Sequence, residues 1–144
     1  MTLLMGLTIG CDPGMVIRQT SSLGAAGGAS VVVYVKTSHP LIGETWYAPG
    51  VEVTNSSDSP ITVTSVELAA RSVTYANNPG RAGTYPLIVP PGKTEALDIW
   101  FDLHDDVKNT FQQPAELRVH YRSSGTEKIA RANIMGGSQN TNAP

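Results

Sequence analysis

The sequence predicts an all-β domain built from two packed antiparallel sheets, with about seven to eight short strands. Three observations carry that expectation. Short β-branched and aromatic runs recur from Ser30 onward, each bounded by Gly, Pro, Asn or Ser. One stretch, Glu95 to His104, alternates apolar and polar residues with strict period two. Between the runs no helical pattern is long enough to serve as a crossover, which argues against a parallel α/β arrangement. A chain of 144 residues is about one domain's worth, enough to bury a single core without a metal or disulfide.

Taken in order, residues 1–10 form a short apolar segment, expected to be a signal-peptide remnant. The single cysteine, Cys11, follows it, so no intramolecular disulfide can form. Asp12-Pro13-Gly14 then stops any helix. The four residues Thr8-Ile9-Gly10-Cys11 resemble the bacterial lipobox, with Thr8 where leucine is commonest. That resemblance implies acylation of the Cys11 thiol. Residues 11–29 are expected to be a flexible tether, because Gln19 to Ser30 reads QTSSLGAAGGAS, the composition of a linker. The folded head is expected over residues 30–135.

Within the head, Val31-Val32-Val33-Tyr34-Val35 is too short for a helix and reads as the first strand. Val51-Glu52-Val53-Thr54 is the second, closed by the polar loop Asn55 to Pro60. Asn55-Ser56-Ser57 in that loop is a formal glycosylation sequon, not expected to be modified in a bacterial lipoprotein. Ile61 to Leu68 follows, and its alternation slips by one, which predicts a β-bulge near Thr64-Ser65. Ser72 to Ala76 and Pro86 to Val89 are further strands, and Pro90-Pro91-Gly92 is a hard turn. In Glu95 to His104, Leu97, Ile99, Phe101 and Leu103 take the inner face. Asp98, Trp100, Asp102 and His104 take the outer one, with Ala96. Asp105 to Phe111 is read as a single helical turn.

The final hairpin can be registered from sequence. A two-residue turn at Ser124-Gly125 pairs Val119 with Ala130, Leu117 with Ala132 and Arg122 with Glu127. It also sets Arg118 opposite Arg131, a like-charge pair that either splays apart in water or is offset by an internal carboxylate, a neighbouring protein or an anionic ligand. The polar tail, residues 136–144, is expected to be disordered.

Several stretches resemble the immunoglobulin-like domains of bacterial lipoproteins and surface proteins. They are Val51-Glu52-Val53-Thr54-Asn55, Ser59-Pro60-Ile61-Thr62-Val63, Val66-Glu67-Leu68, Val89-Pro90-Pro91-Gly92-Lys93 and Ile99-Trp100-Phe101-Asp102-Leu103. The resemblance covers roughly residues 50–135 and implies an immunoglobulin-like antiparallel β-sandwich. It carries over no functional residues, and the antibody-type cysteine–tryptophan–cysteine core is absent.

Composition narrows the function classes. Charged residues make up 15% of the chain, low for a soluble domain, and the net charge is −2, so a nucleic-acid partner is not indicated. No catalytic motif is present: no nucleophile elbow, phosphate loop, zinc-protease helix or CxxC pair. A non-enzymatic protein without a cofactor is expected. His104 beside Asp105 and Asp106 could attract a divalent ion weakly, but a solvated strand end is the simpler reading, and no metal site is assigned. Trp100 between Asp98 and Asp102 reads either as a protein-interface anchor or as a sugar-stacking platform, unless a loop covers it. With His104 on the same face and Arg118, Arg122 and Arg131 on the hairpin, these are the candidate binding residues. The expected function is a non-catalytic binding or assembly module at the bacterial cell envelope, lipid-anchored through Cys11 and contacting a protein partner or its own copies. A carbohydrate- or small-ligand-binding module using the Trp100 face is the alternative.

Overall fold

A computed structural model describes residues 15–23, 30–41, 43–81, 83 and 85–138. Over these residues it is an all-β structure of antiparallel strands with one short helix. The strands are β1 (Met15–Leu23), β2 (Val31–Val35), β3 (Trp46–Tyr47), β4 (Val51–Asn55), β5 (Ile61–Ala70), β6 (Val73–Ala76), β7 (Leu87–Val89), β8 (Thr94–Leu97), β9 (Phe101–Asp102), β10 (Ala115–Ser123) and β11 (Thr126–Ser138). The helix is α1 (Val107–Thr110). One sheet has the order β1-β11-β10-β5-β6, with β7 also pairing β5; a second has the order β2-β4-β8; β3 and β9 form a two-stranded pair.

Strand alternation builds the core. In β10, Ala115, Leu117, Val119 and Tyr121 are buried while the residues between them are partly exposed, as a half-buried strand requires. In β5 the alternation runs Ile61, Val63, then Val66, Leu68 and Ala70. The phase changes at the bulge: His120 pairs with Ser65 and Tyr121 with Val63, leaving Thr64 unpaired against β10. Thr64 Oγ1 donates to the His120 carbonyl at 3.2 Å. Val31, Val33, Val35, Val51, Val53 and Leu97 of the three-stranded sheet join these residues in one buried cluster. The hairpin register is the one expected, including Leu117–Ala132, Val119–Ala130, Arg122–Glu127 and Arg118–Arg131. Its turn residues Ser124 and Gly125 have φ of 51° and 80°, the left-handed pair of a type I′ turn.

A buried asparagine ties the sheets together. Asn55 at the end of β4 is 0% exposed. Its Nδ2 donates to the Ser59 carbonyl at 2.9 Å and to the Val89 carbonyl of β7 at 3.0 Å. Its Oδ1 accepts from the Ser57 amide and hydroxyl. After Val89 the chain turns through Pro90-Pro91-Gly92 and enters the three-stranded sheet as β8, where the Asn55 amide donates to the Lys93 carbonyl and its carbonyl accepts from Gly92. The sequon nitrogen is therefore committed to the interior, and Asn55 pins the crossing between sheets.

Three sequence expectations differ from the structure. The stretch Glu95 to His104 is not one strand. Leu97, Ile99, Phe101 and Leu103 are all buried as the alternation predicts, but β8 pairs with β4 whereas β9 pairs with β3. Residues 98–100 between them bond to the loop after β6 instead. Second, the expected tether over 11–29 is interrupted by β1, which runs antiparallel to β11 with a register shift between Gln19 and Ser21. Third, the expected tail starts inside a strand, because β11 continues to Ser138. Residues 139–144, the candidate signal segment 1–10 and Cys11 lie outside the described residues.

Candidate functional site

The side chains that sequence analysis placed on the outer face of residues 98–104 meet a loop and a strand that it did not place there. β3 brings Trp46 opposite Asp102 in register. The Trp46 and Trp100 rings stack with centroids 4.5 Å apart and planes 11° from parallel. The Arg81 guanidinium lies over the Trp100 ring, 4.6 Å from its centroid, a cation–π contact. Trp100 Nε1 donates to Asp102 Oδ1 at 2.9 Å, and Asn78 Nδ2 donates to the other carboxylate oxygen. These two bonds, the Trp100 one foremost, with a smaller pull from Arg81, hold the Asp102 carboxyl below its ordinary pKa.

The loop after β6 bonds to the backbone of this edge. Trp100 N donates to Asn77 Oδ1 and its carbonyl accepts from Asn78 N, each at 2.8 Å. Tyr85 Oη donates to the Asp98 carbonyl at 2.9 Å. Burial, reinforced by the Asp98 charge, pushes the Tyr85 phenol up to about 12. Gly83 approaches Asp98 so closely that an added Cβ would lie 2.7 Å from the Asp98 Cβ. Trp100 is thus half-buried rather than a free outward ring. The exposed aromatic of the cluster is Trp46, 38% exposed. Sequence reasoning missed it because a two-residue strand has no periodicity. The available signal was an adjacent aromatic pair, Trp46-Tyr47, between Gly43 and Pro49-Gly50.

The remaining candidates sit elsewhere. His104 is exposed at the end of the segment, its ring edge-on to Tyr75 at 5.0 Å. Asp105 caps α1 with its neighbour: its carboxylate accepts from the Asp106 amide and from Asn109 Nδ2, which lowers its pKa, the amide bond foremost. Among the described residues no group of three or more His, Cys, Asp or Glu is placed to hold a metal ion. Arg118, Arg122 and Arg131 lie on the β10–β11 hairpin, in a different sheet from the tryptophan cluster. The like-charge pair is resolved internally: Glu116 Oε1 lies 2.7 Å from Arg118 Nε and 3.5 Å from Arg131 Nη1. Arg122 binds Glu127 at 2.7 Å. His120 lies 3.2 Å from Glu67 across β5. Arg118 and Arg131 share the Glu116 carboxylate and Arg122 has Glu127, so each of the three arginines is engaged within the chain.

No protein-family model matches the chain, and no curated protein matches it. A crystal structure described as a functionally unknown protein from Listeria monocytogenes EGD-e is similar at a TM-score of 0.46 and 10% identity, over 81% of this chain and 86% of that one.

Proposed function

We propose that this chain is a non-catalytic binding or assembly module, held at the bacterial cell envelope by lipid on Cys11, that makes protein–protein contacts through the Trp46 face. In this reading the head is an immunoglobulin-like sandwich whose six- and three-stranded sheets enclose the common core. The observation that carries the contact assignment is the Trp46–Trp100 stack. Trp46 presents an exposed indole whose position is fixed by Trp100, which Arg81, Asp102 and the amide framework of residues 77–78 fix in turn. A rigid, partly exposed tryptophan supplies contact area at little entropic cost, the property of an interface hot spot. The glycan alternative asks for an open Trp100 ring between free carboxylates. Here that ring carries Trp46 and Arg81, and Asp102 is already bonded at both oxygens, which favours the protein contact.

Two experiments test this reading. A photo-cross-linking residue at position 46 in the native host should yield a discrete protein adduct, absent when the same residue replaces Arg122. Equal adducts from both positions, or none from either, would overturn the contact assignment. Intact mass spectrometry of the membrane-extracted protein should show a chain beginning at Cys11 with a lipid-sized addition. A chain retaining Met1 with a free thiol would overturn the anchor.

A further inference from the structure

Beside the exposed edge of Trp46 lies a small open pocket of about 200 Å³, lined by Ser38, His39, Pro40, Glu44, Trp46 and Tyr47. Three features of its lining are unusual together. Tyr47 is 2% exposed, its ring packed against Phe111 and Phe101, yet its hydroxyl has no hydrogen-bond partner. Ser38 Oγ, also buried, has none either. The two hydroxyls are near enough for the serine to favour the phenolate slightly against the larger, opposing effect of burial, but they form no bond of ordinary geometry. Buried hydroxyls without partners are uncommon and costly. The third feature is Glu44, half-buried, whose carboxylate forms no ion pair among the described residues.

Three aspartates lie beside the pocket. The Leu103 amide donates to the Thr45 carbonyl and the Val107 amide to the Glu44 carbonyl. Those bonds draw the run Asp102 to Asp106, with its three aspartates, alongside residues 44–46. The cationic groups facing this run are His39 in the pocket lining, Lys108 on α1, Arg81 over Trp100, which acts on Asp102, and Arg71, which acts on Asp105.

We propose that this pocket receives a lysine side chain of the partner. An ammonium has three donors and no acceptor. The pocket lining carries the half-buried Glu44 carboxylate, which has no ion pair among the described residues, together with two buried hydroxyls, Ser38 Oγ and Tyr47 Oη. The apolar stem of the lysine would lie along Trp46 and Pro40, where the indole also favours a cation. This rests on the protein-contact reading and names the chemistry that the partner presents.

The test titrates the full chain with Nα-acetyl-lysine methylamide. Trp46 and Trp100 are the chain's two tryptophans, so emission reports on this cluster directly, and amide NMR shifts give a second readout. A saturable change is expected, with a dissociation constant on the order of millimolar for so small a probe. It should weaken about tenfold in Glu44→Gln, and also weaken in Tyr47→Phe, with NMR dispersion confirming that both variants are folded. The Nε-acetylated probe should not saturate. Absence of saturation by the lysine probe, equal binding of its Nε-acetylated form, or saturation by N-acetylglucosamine alone would each overturn the proposal; the last would make the pocket a saccharide site. Cross-linking at position 46 reads the contact itself, so failure of the lysine assignment is distinguishable from failure of the interface.

Discussion

Replacing Asn55 by alanine should cost about 3 kcal/mol of stability, most of it local to the crossing between sheets. The side chain donates to Ser59 and Val89 and accepts twice from Ser57. A typical intramolecular hydrogen bond contributes about 1 kcal/mol net, whereas leaving a buried partner unsatisfied costs roughly 1–3 kcal/mol. The Ser57 and Ser59 groups lie toward solvent, where water can replace the lost bonds. Val89 is fully buried, so its carbonyl takes the larger penalty. Asn55→Asp keeps the shape but replaces the two donors with a carboxylate facing two carbonyls. Its folded-state pKa must rise, so the folded state binds more protons than the unfolded one. The variant should therefore gain stability as pH falls through that raised value and lose it as pH rises. Urea unfolding measures both effects, and the slope with denaturant should be unchanged for alanine. A loss below about 1 kcal/mol for alanine, or an Asp variant that strengthens with rising pH, would refute the assignment of Asn55 as the inter-sheet pin.

Three further outcomes are expected. Arg71 and Ser72 between β5 and β6 have φ of 52° and 67° without a glycine, so Ser72→Gly should stabilise the protein by about 1 kcal/mol in thermal or urea unfolding. Glu116→Gln removes the carboxylate shared by Arg118 and Arg131; it should destabilise by about 0.5–1 kcal/mol at low salt, the effect shrinking as salt screens the exposed arginines. Asp102 should titrate below an ordinary carboxylate in a carbon-detected NMR titration, and its pKa should rise in Trp100→Phe, which removes the leading cause of the shift. Because its folded value is depressed, the contribution of Asp102 to stability is present above the ordinary carboxylate pKa and lost as pH falls through the lower folded value.

The parts of the fold that could be read in the sequence are those where side-chain pattern and backbone pairing agree. The final hairpin is the clearest case: apolar pairs, the Arg122–Glu127 pair and a glycine turn all select one register. The bulge at Thr64 was visible because the change in inner face leaves a mark on the alternation. The break between β8 and β9 was not, because Leu97 to Leu103 keeps alternating while its hydrogen-bond partners change from β4 to the loop and then to β3. β1 was hidden for a different reason. Its apolar start, Met15-Val16-Ile17, is short and runs into the linker-like stretch from Gln19, and its pairing with β11 is a tertiary effect. At the candidate site, Asp98, Trp100 and Asp102 were legible as a group, but the cover over Trp100 comes from Trp46, Asn77, Asn78 and Arg81, distant in sequence. Glu116 could have been found: it sits two residues before Arg118 in β10, and so on the same face.

The Trp46–Trp100 stack fixes the exposed indole of the contact face, and far-ultraviolet circular dichroism reads that stack directly. Two indoles with centroids 4.5 Å apart couple their electronic transitions. The wild-type protein should show an exciton couplet that disappears in Trp46→Phe and in Trp100→Phe alike, while the β-sheet signal persists. A wild-type spectrum without the couplet, or a couplet that survives either substitution, would contradict the site.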